Sequence, residues 1–483
     1  MKGDTGIIDE ISSGSATPES AFGNQMPSTF GATHRNEPDA LDVRYRRRRR
    51  STHELTRGLT AEDMVVQSLP DASPTKWRLA HTTWFFEQFV LKVYDSNYRE
   101  FDPHFSYLFN SYYNNIGERH TRELRGLLTR PSFDQVIAYR DCVDSAIGEL
   151  LHKPTLAAQD DKKTTALHNT IEVGLHHEMQ HQELLLTDIL HALSFNSLYP
   201  AMRSPDAGLR LDSSHNDPTK TASAINYQHF DEGIFHIGAP HSDQMDREKP
   251  RSNTSALNST SKSFSFDCEH PRHQVYLQAF ALAQRTVTNR EWLEFMQDGG
   301  YSTATLWLSD GWAQCQLNHW QAPLYWVQQD GAWLQFSHYG LHPIDLDAPV
   351  CHINYYEADA FACWAEARLP TEQEWEIAAG QHPINGNFQE SEIWLPKAAR
   401  GPGMQQIYGD VWEWTRSAYC AYPGYRAPAG AIGEYNGKFM SGQFVLRGGS
   451  CVTPIAQIRP SYRNFFYPHQ RWQFSGLRLA KDL

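Results

Sequence analysis

The stretch Leu175-His176-His177-Glu178-Met179-Gln180-His181-Gln182-Glu183-Leu184-Leu185-Leu186 decides how the rest of the chain is read. Taken as a helix, it places His177 and His181 one turn apart on the same face. Two neutral imidazoles at that spacing can share one metal ion. The string is also literally H-E-x-x-H, the zinc-peptidase signature in which the Glu acts as general base. A His pair on a helix is equally readable as a polar face, so the choice rests on the remainder of the chain.

A length of 483 residues leaves room for two or three domains and ample core. The 14 Trp, 22 Tyr and 24 Phe imply aromatic surfaces or pockets. A formal net charge of −13 argues against nucleic acid as a partner. The Arg46 to Arg50 run is a local exception and reads as a solvated basic patch in a disordered arm. The seven cysteines are an odd number with no C-x-x-C pair, which fits free thiols in a reducing compartment. The N-terminus has no apolar signal region and no stretch reaches transmembrane length. A cytoplasmic protein without membrane contact is expected.

Residues 1–50, rich in Gly, Ser, Thr, Pro and charge, read as a disordered arm. Residues 51–202 carry helical signals. Leu55, Leu59, Met64, Val65 and Leu69 begin a first helix that Pro70 and Pro74 stop; Trp77 to Val90 is a second. A third follows Pro131, from Phe133 to Leu151, and the fourth carries the His pair. Four helices with Pro-marked breaks predict a bundle, whose core is a common place for metals. Residues 203–226 read as a linker, and 227–483, with short strands, Gly-rich turns and many Trp, as an α+β domain with a polar insertion near 241–262.

A His pair needs a third protein ligand to hold a catalytic metal. Downstream the chain offers His191, only ten residues beyond His181. His81, on a separate helix of the same bundle, is the better candidate. Three neutral imidazoles leave a divalent ion its full charge, suited to an anionic thiolate and O2. Imidazole accommodates iron or zinc, so ligand type alone does not choose between them.

The strings LAHTTWFFE, from Leu79, and HHEMQHQE, from His176, resemble the DinB-like four-helix bundle of the EgtB family, the sulfoxide synthases of ergothioneine biosynthesis. RLPTEQEWEIAA, GDVWEWT, LRGGS and the terminal RPSYRNFFYPHQRWQFSGLRLA resemble the sulfatase-modifying-factor fold, an α+β domain of the formylglycine-generating, C-type-lectin-like kind. The resemblance covers about residues 51–483 in the family's domain order. It implies an enzyme dependent on non-haem Fe(2+), joining a thiol to the imidazole of Nα-trimethylhistidine (hercynine) with O2 and leaving a sulfoxide. His81, His177 and His181 would be the iron ligands, with Gln180 beside the hercynine carboxylate and Asn464 helping to hold that substrate.

Two departures refine the expectation. The reactive Cys pair of the formylglycine-generating branch falls here at Thr453 and Ile458, so that activity is not expected. The branch using γ-glutamylcysteine has an Asp and an Arg where this chain has Phe466 and Gln470, which favours cysteine as the donor. Ser111-Tyr112-Tyr113-Asn114-Asn115 resembles the cysteine-using branch, where a bundle tyrosine is the proton-donating phenol; the other branch uses a tyrosine of the second domain, for which Tyr419 and Tyr422 are the rivals. A phenol with a pKa near 10 stays protonated and suits that role. Arg119 and Arg122 could pair with the cysteine carboxylate. The trimethylammonium group suits an aromatic wall, with Trp412, Trp414, Phe465 and Phe466 as members. The alternatives are a zinc peptidase using Glu178 as base, a ligand-binding module with a vestigial bundle, and an ovothiol-type synthase, whose usual methyltransferase domain is missing up to Leu483.

Overall fold

The computed structural model describes residues 40–153, 161–205, 211, 224–240, 264–428, 433 and 435–483, and Ala40–Leu483 form one compact unit. Among these residues the bundle consists of α1 (Leu41–Glu54), α2 (Thr75–Phe86, continued by a π-helical turn, Glu87–Leu91), α3 (Phe133–His152) and α4 (Asp161–Ser194). α2 packs on α3 and α4, and α1 closes the other side against the same two helices.

The helices begin and meet where their residues dictate. Ser132 caps α3 in a reciprocal box with Gln135. α2 is buried along its whole length, so it lies at the centre of the bundle rather than on its surface. Gly174 lets α4 close on it, since a Cβ there would stand 2.5 Å from the Phe86 ring. That approach brings the His177 face of α4 against the His81 face of α2.

Two expectations about the first helices need correction. The arm expected through residue 50 gives way to α1 at Leu41. Arg49, within the Arg run, is buried, because Asp144 of α3 and Glu178 of α4 supply the carboxylates that let a guanidinium leave water. The segment from Leu55 to Leu69 forms only a 3-10 turn, Asp63–Val65, in place of a helix. Residues 1–39, most of the expected linker and the polar insertion lie outside the described residues.

The second domain is built of small sheets. β1 (Tyr227–Phe230), β4 (Phe280–Ala283) and β12 (Ala480–Asp482) form one, in the order β1-β4-β12. β2 (Gly233–Ile237) pairs with β3 (His273–Leu277), and β5 (Trp326–Gln329), β6 (Ala332–Ser337) and β7 (Gly340–Pro343) make a meander. The sheet that faces the bundle has the order β10-β9-β8-β11, with β8 at Trp412–Ala418, β9 at Phe444–Arg447, β10 at Asn464–Phe466 and β11 at Ser475–Gly476. Beside it runs the helix Glu372–Ala379, capped by Thr371 and Glu374. Its Glu372 holds the buried Arg463 through both carboxylate oxygens, and Glu372 and Glu376 hold the buried Arg447. Those pairs fix where β10 starts, and hence where Asn464 and the two following phenylalanines are presented.

Candidate active site

α4 serves three directions at once. His177 and His181 face α2. Glu178 turns to α1 and α3, where Arg49, Arg140 and Thr52 take its carboxylate. Gln180 and Glu183 turn to the second domain, where Gln180 donates to the Tyr462 hydroxyl at 2.9 Å and Glu183 accepts from Trp412, Ser450 and Thr453. One helix thus supplies the proposed ligands, a bundle lock and the domain seam.

The three histidines named from the sequence converge: His81, His177 and His181 each offer a ring nitrogen, all within 4.8 Å of one another. Nε2 of His81 lies 3.2 Å from Nε2 of His177. His81 Nδ1 lies 2.7 Å from the Phe109 carbonyl, which fixes the proton on that nitrogen and leaves the Nε2 lone pair facing the cluster. Trp77 and Trp84 stack on either side of the His81 ring. Burial pushes all three imidazoles below their ordinary pKa; the neighbouring histidine reinforces this at His81 and His181, and His177 falls to about 3. The rings are therefore neutral and able to ligate near neutral pH.

Three converging lone-pair nitrogens fit a cation. Two nitrogens each about 2.1 Å from one ion would be separated by roughly 3 Å, close to the spacing of His81 and His177. Buried Nδ1 of His177 has no hydrogen-bond partner among the described residues. Glu178, by contrast, is turned away from this centre and held by two arginines, so it is not placed to activate a water there.

The cluster opens onto a cavity of about 660 Å³ walled by both domains. Of the residues named from the sequence, Gln180, Asn464, Phe465, Phe466, Arg119 and Tyr112 line it. Trp414 does not: it is buried in the second-domain core, with its indole N–H on the Ile353 carbonyl. Trp412 is committed to Glu183. Tyr113 is fully buried, packed on Trp84 and Phe89, while Tyr112 stacks on it from the cavity side. Tyr419 lies beneath Phe465, and Tyr422 joins the Arg447 cluster, so neither rival phenol is a lining residue.

Sequence reasoning missed two residues. Tyr435, from the loop before β9, is buried against the His177 ring, 5.7 Å between centroids, and its hydroxyl donates to Oε1 of Gln180. Burial, with Tyr112 and Tyr462 nearby, raises its phenol well above the ordinary value. Arg125 is the second. Its buried guanidinium touches Ser73 and Ser111, lies 3.5 Å from the Trp77 ring centroid and has no carboxylate partner among the described residues. Burial and the neighbouring Arg122, Arg78 and Arg119 all weigh against its positive charge, so the site calls for an anion. The three-residue repeat Arg119, Arg122, Arg125 was the available signal for it.

The position equivalent to the first reactive cysteine of the formylglycine-generating branch, Thr453, hydrogen-bonds Glu183 at 2.9 Å. Among the described residues no helix is long and apolar enough to cross a membrane.

Residues 44–185 match the DinB superfamily, and residues 247–399 and 396–483 match the sulfatase-modifying factor enzyme 1-like domain. Over 335 residues the chain is 32% identical to the hercynine oxygenase of Mycolicibacterium smegmatis, covering 64% of this chain and 70% of that protein. It is 37% identical over 244 residues to the hercynine oxygenase of Mycobacterium tuberculosis, covering 45% of this chain. That alignment spans 56% of the length of the M. tuberculosis protein. The ergothioneine biosynthesis protein 1 of Schizosaccharomyces pombe is 26% identical over 232 residues, 45% of this chain and 28% of that protein. With both domains matched in order and this similarity along the greater part of its length, the chain belongs to the hercynine oxygenase family.

Proposed function

We propose that this chain is an Fe(2+)- and O2-dependent sulfoxide synthase that joins the sulfur of cysteine to the imidazole carbon of hercynine. The observation that carries the reading is a cluster of three neutral histidines that opens onto one cavity with an arginine lacking a carboxylate partner among the described residues. In the overall change a C–H and an S–H hydrogen leave, a C–S bond forms, one oxygen atom of O2 goes to sulfur and the other to water. His81, His177 and His181 would hold the iron, which would supply the redox chemistry for O2 when bound.

The chain's own groups do the rest. Arg125 takes the donor's carboxylate, with Arg119 at the same wall. Gln180, fixed between the hydroxyls of Tyr435 and Tyr462, and Asn464, whose Oδ1 accepts from the Phe465 amide and leaves Nδ2 for a ligand, hold the hercynine carboxylate. Phe465 and Phe466 give the trimethylammonium an aromatic wall. Tyr112 and Tyr435 bring one phenol from each domain to the cavity, their rings 6.4 Å apart, and one of them delivers the proton. Fe(2+) is favoured over zinc by this O2 chemistry, and the peptidase reading is disfavoured by the ion pairs that hold Glu178. Anaerobic reconstitution with iron, followed by mass spectrometry of products from hercynine with cysteine or with γ-glutamylcysteine, tests the assignment: absence of a coupled sulfoxide with either thiol sinks it.

A further inference from the structure

The cavity holds a carboxylate that the proposed reaction does not use. Asp71, in the segment ahead of α2, lines it. Its Oδ2 accepts from Nε2 of Gln470 at 3.1 Å. Gln470 is buried, and its own Oε1 is taken by the Tyr467 amide at 3.0 Å. The Asp71 backbone carbonyl accepts from the Arg122 guanidinium, whose Nη1 lies 3.9 Å from Asp71 Oδ1. Arg122 and Gln470, one cationic and one neutral, are therefore turned to Asp71. Arg125 differs in having no carboxylate partner among the described residues.

We propose that Asp71 is a specificity-determining residue, restricting the thiol donor to one with a single carboxylate by occupying Arg122 and Gln470 and keeping a negative charge on that wall. The inference rests on the reading of this cavity as the thiol-coupling site. Cysteine satisfies its carboxylate on Arg125. A donor with a second carboxylate, such as γ-glutamylcysteine, meets on this wall two donors already turned to Asp71, with a like charge beside them. A carboxylate in a partly desolvated cavity without a partner is strongly disfavoured, and the Asp71 charge adds repulsion at close range.

Asp71→Asn removes the charge and keeps an oxygen acceptor for Gln470. The side chain is 42% exposed, so the substitution spares the fold. With saturating hercynine and O2, kcat/KM for γ-glutamylcysteine relative to cysteine is expected to rise about tenfold in Asp71→Asn, with the cysteine value held within about threefold. In the double variant Asp71→Asn with Arg122→Gln the gain should shrink to the part that comes from the lost Asp71 repulsion, because the cation freed of its carboxylate neighbour is gone. An unchanged ratio in the single variant, or a gain undiminished by loss of Arg122, overturns the proposal. A binding measurement stands apart from turnover: the Kd of γ-glutamylcysteine for the anaerobic iron-loaded protein should tighten in Asp71→Asn, and an equal Kd also overturns it. Failure of the parent to couple hercynine to any thiol would instead sink the assigned reaction, while the Kd comparison would still decide whether Asp71 repels a dicarboxylate.

Discussion

Oε2 of Glu178 accepts a hydrogen bond from Nη1 of Arg49 at 3.0 Å, with both side chains withdrawn from solvent. Burial alone would raise the Glu178 carboxyl, but Arg140 and Arg49 outweigh it and hold the group down at about 2. The Glu of an H-E-x-x-H string therefore fastens α1 and α3 to the helix that carries the ligands. Its role is the position of α4, not proton transfer.

Glu178→Gln should accordingly keep its coupling activity per bound iron while losing stability. Removing the carboxylate leaves two buried guanidiniums facing a neutral amide, and breaking such a buried pair costs about 3–5 kcal/mol. Urea denaturation should show a midpoint well below that of the parent. Loss of coupling in a protein of normal stability would return Glu178 to the chemistry.

His177→Ala should lower iron occupancy by about tenfold or more. Loss of a group that only supports a ligand already costs 10–100-fold in metal affinity, and the loss of one ligand of three should cost no less. Metal analysis after anaerobic reconstitution reads this directly, and unchanged occupancy removes His177 from the site.

Tyr435→Phe and Tyr112→Phe separate the two phenols. Each substitution removes one oxygen and leaves the ring in place. In the variant that lacks the proton donor, carbon–sulfur bond formation should fall while oxidation of the thiol without coupling rises. The contact of Tyr435 with His177 and Gln180 makes it the first of the pair to test. Product ratios equal to the parent's in both variants would place the proton source elsewhere.

Local periodicity made the histidine cluster legible. A four-residue spacing on a helix fixes a shared face, and His81 lies on a second apolar helix of the same bundle. Tyr435 and Arg125 were not legible in the same way. Tyr435 comes from a loop and Arg125 from the short 3-10 helix Arg122–Leu127; the path of each depends on tertiary contacts, and no spacing rule connects either to the histidines. The Arg46 to Arg50 run misled for a related reason: charge density reads as solvation unless the carboxylates that bury Arg49 are known, and these lie 95 and 129 residues away in Asp144 and Glu178. Trp414 was placed by composition, whereas burial on both faces of β8 assigns it to the core.

Asp410 provides a pH prediction away from the histidines. Burial raises its carboxyl to about 6, against hydrogen bonds from the Lys397 amide and Asn387 that pull the other way. The folded state thus binds the proton more tightly than the unfolded chain. The stabilisation is complete below about pH 4 and is lost as pH rises through about 6, a swing on the order of 1–3 kcal/mol. Both hydrogen bonds end on Oδ1, which an asparagine can reproduce. Asp410→Asn should therefore be more stable than the parent at pH 8, with the gap narrowing at pH 5; a gap independent of pH would refute the account.

Arg125 tests the donor end of the cavity. A charge-assisted hydrogen bond contributes about 1.5–3 kcal/mol, so Arg125→Gln, which keeps polar length and loses the charge, should lower kcat/KM for cysteine roughly 10–150-fold. Most of the loss should appear in KM, because the carboxylate is bound equally in the ground and transition states. Iron content and the KM for hercynine should stay near the parent's, since the guanidinium rests on Ser73, Ser111 and Trp77 and on none of the three histidines. Cysteamine, a thiol donor with no carboxylate, supplies the control: it should react poorly with the parent and no worse with the variant. A variant that loses cysteine and cysteamine turnover in equal measure would show that Arg125 shapes the cavity rather than reading the carboxylate.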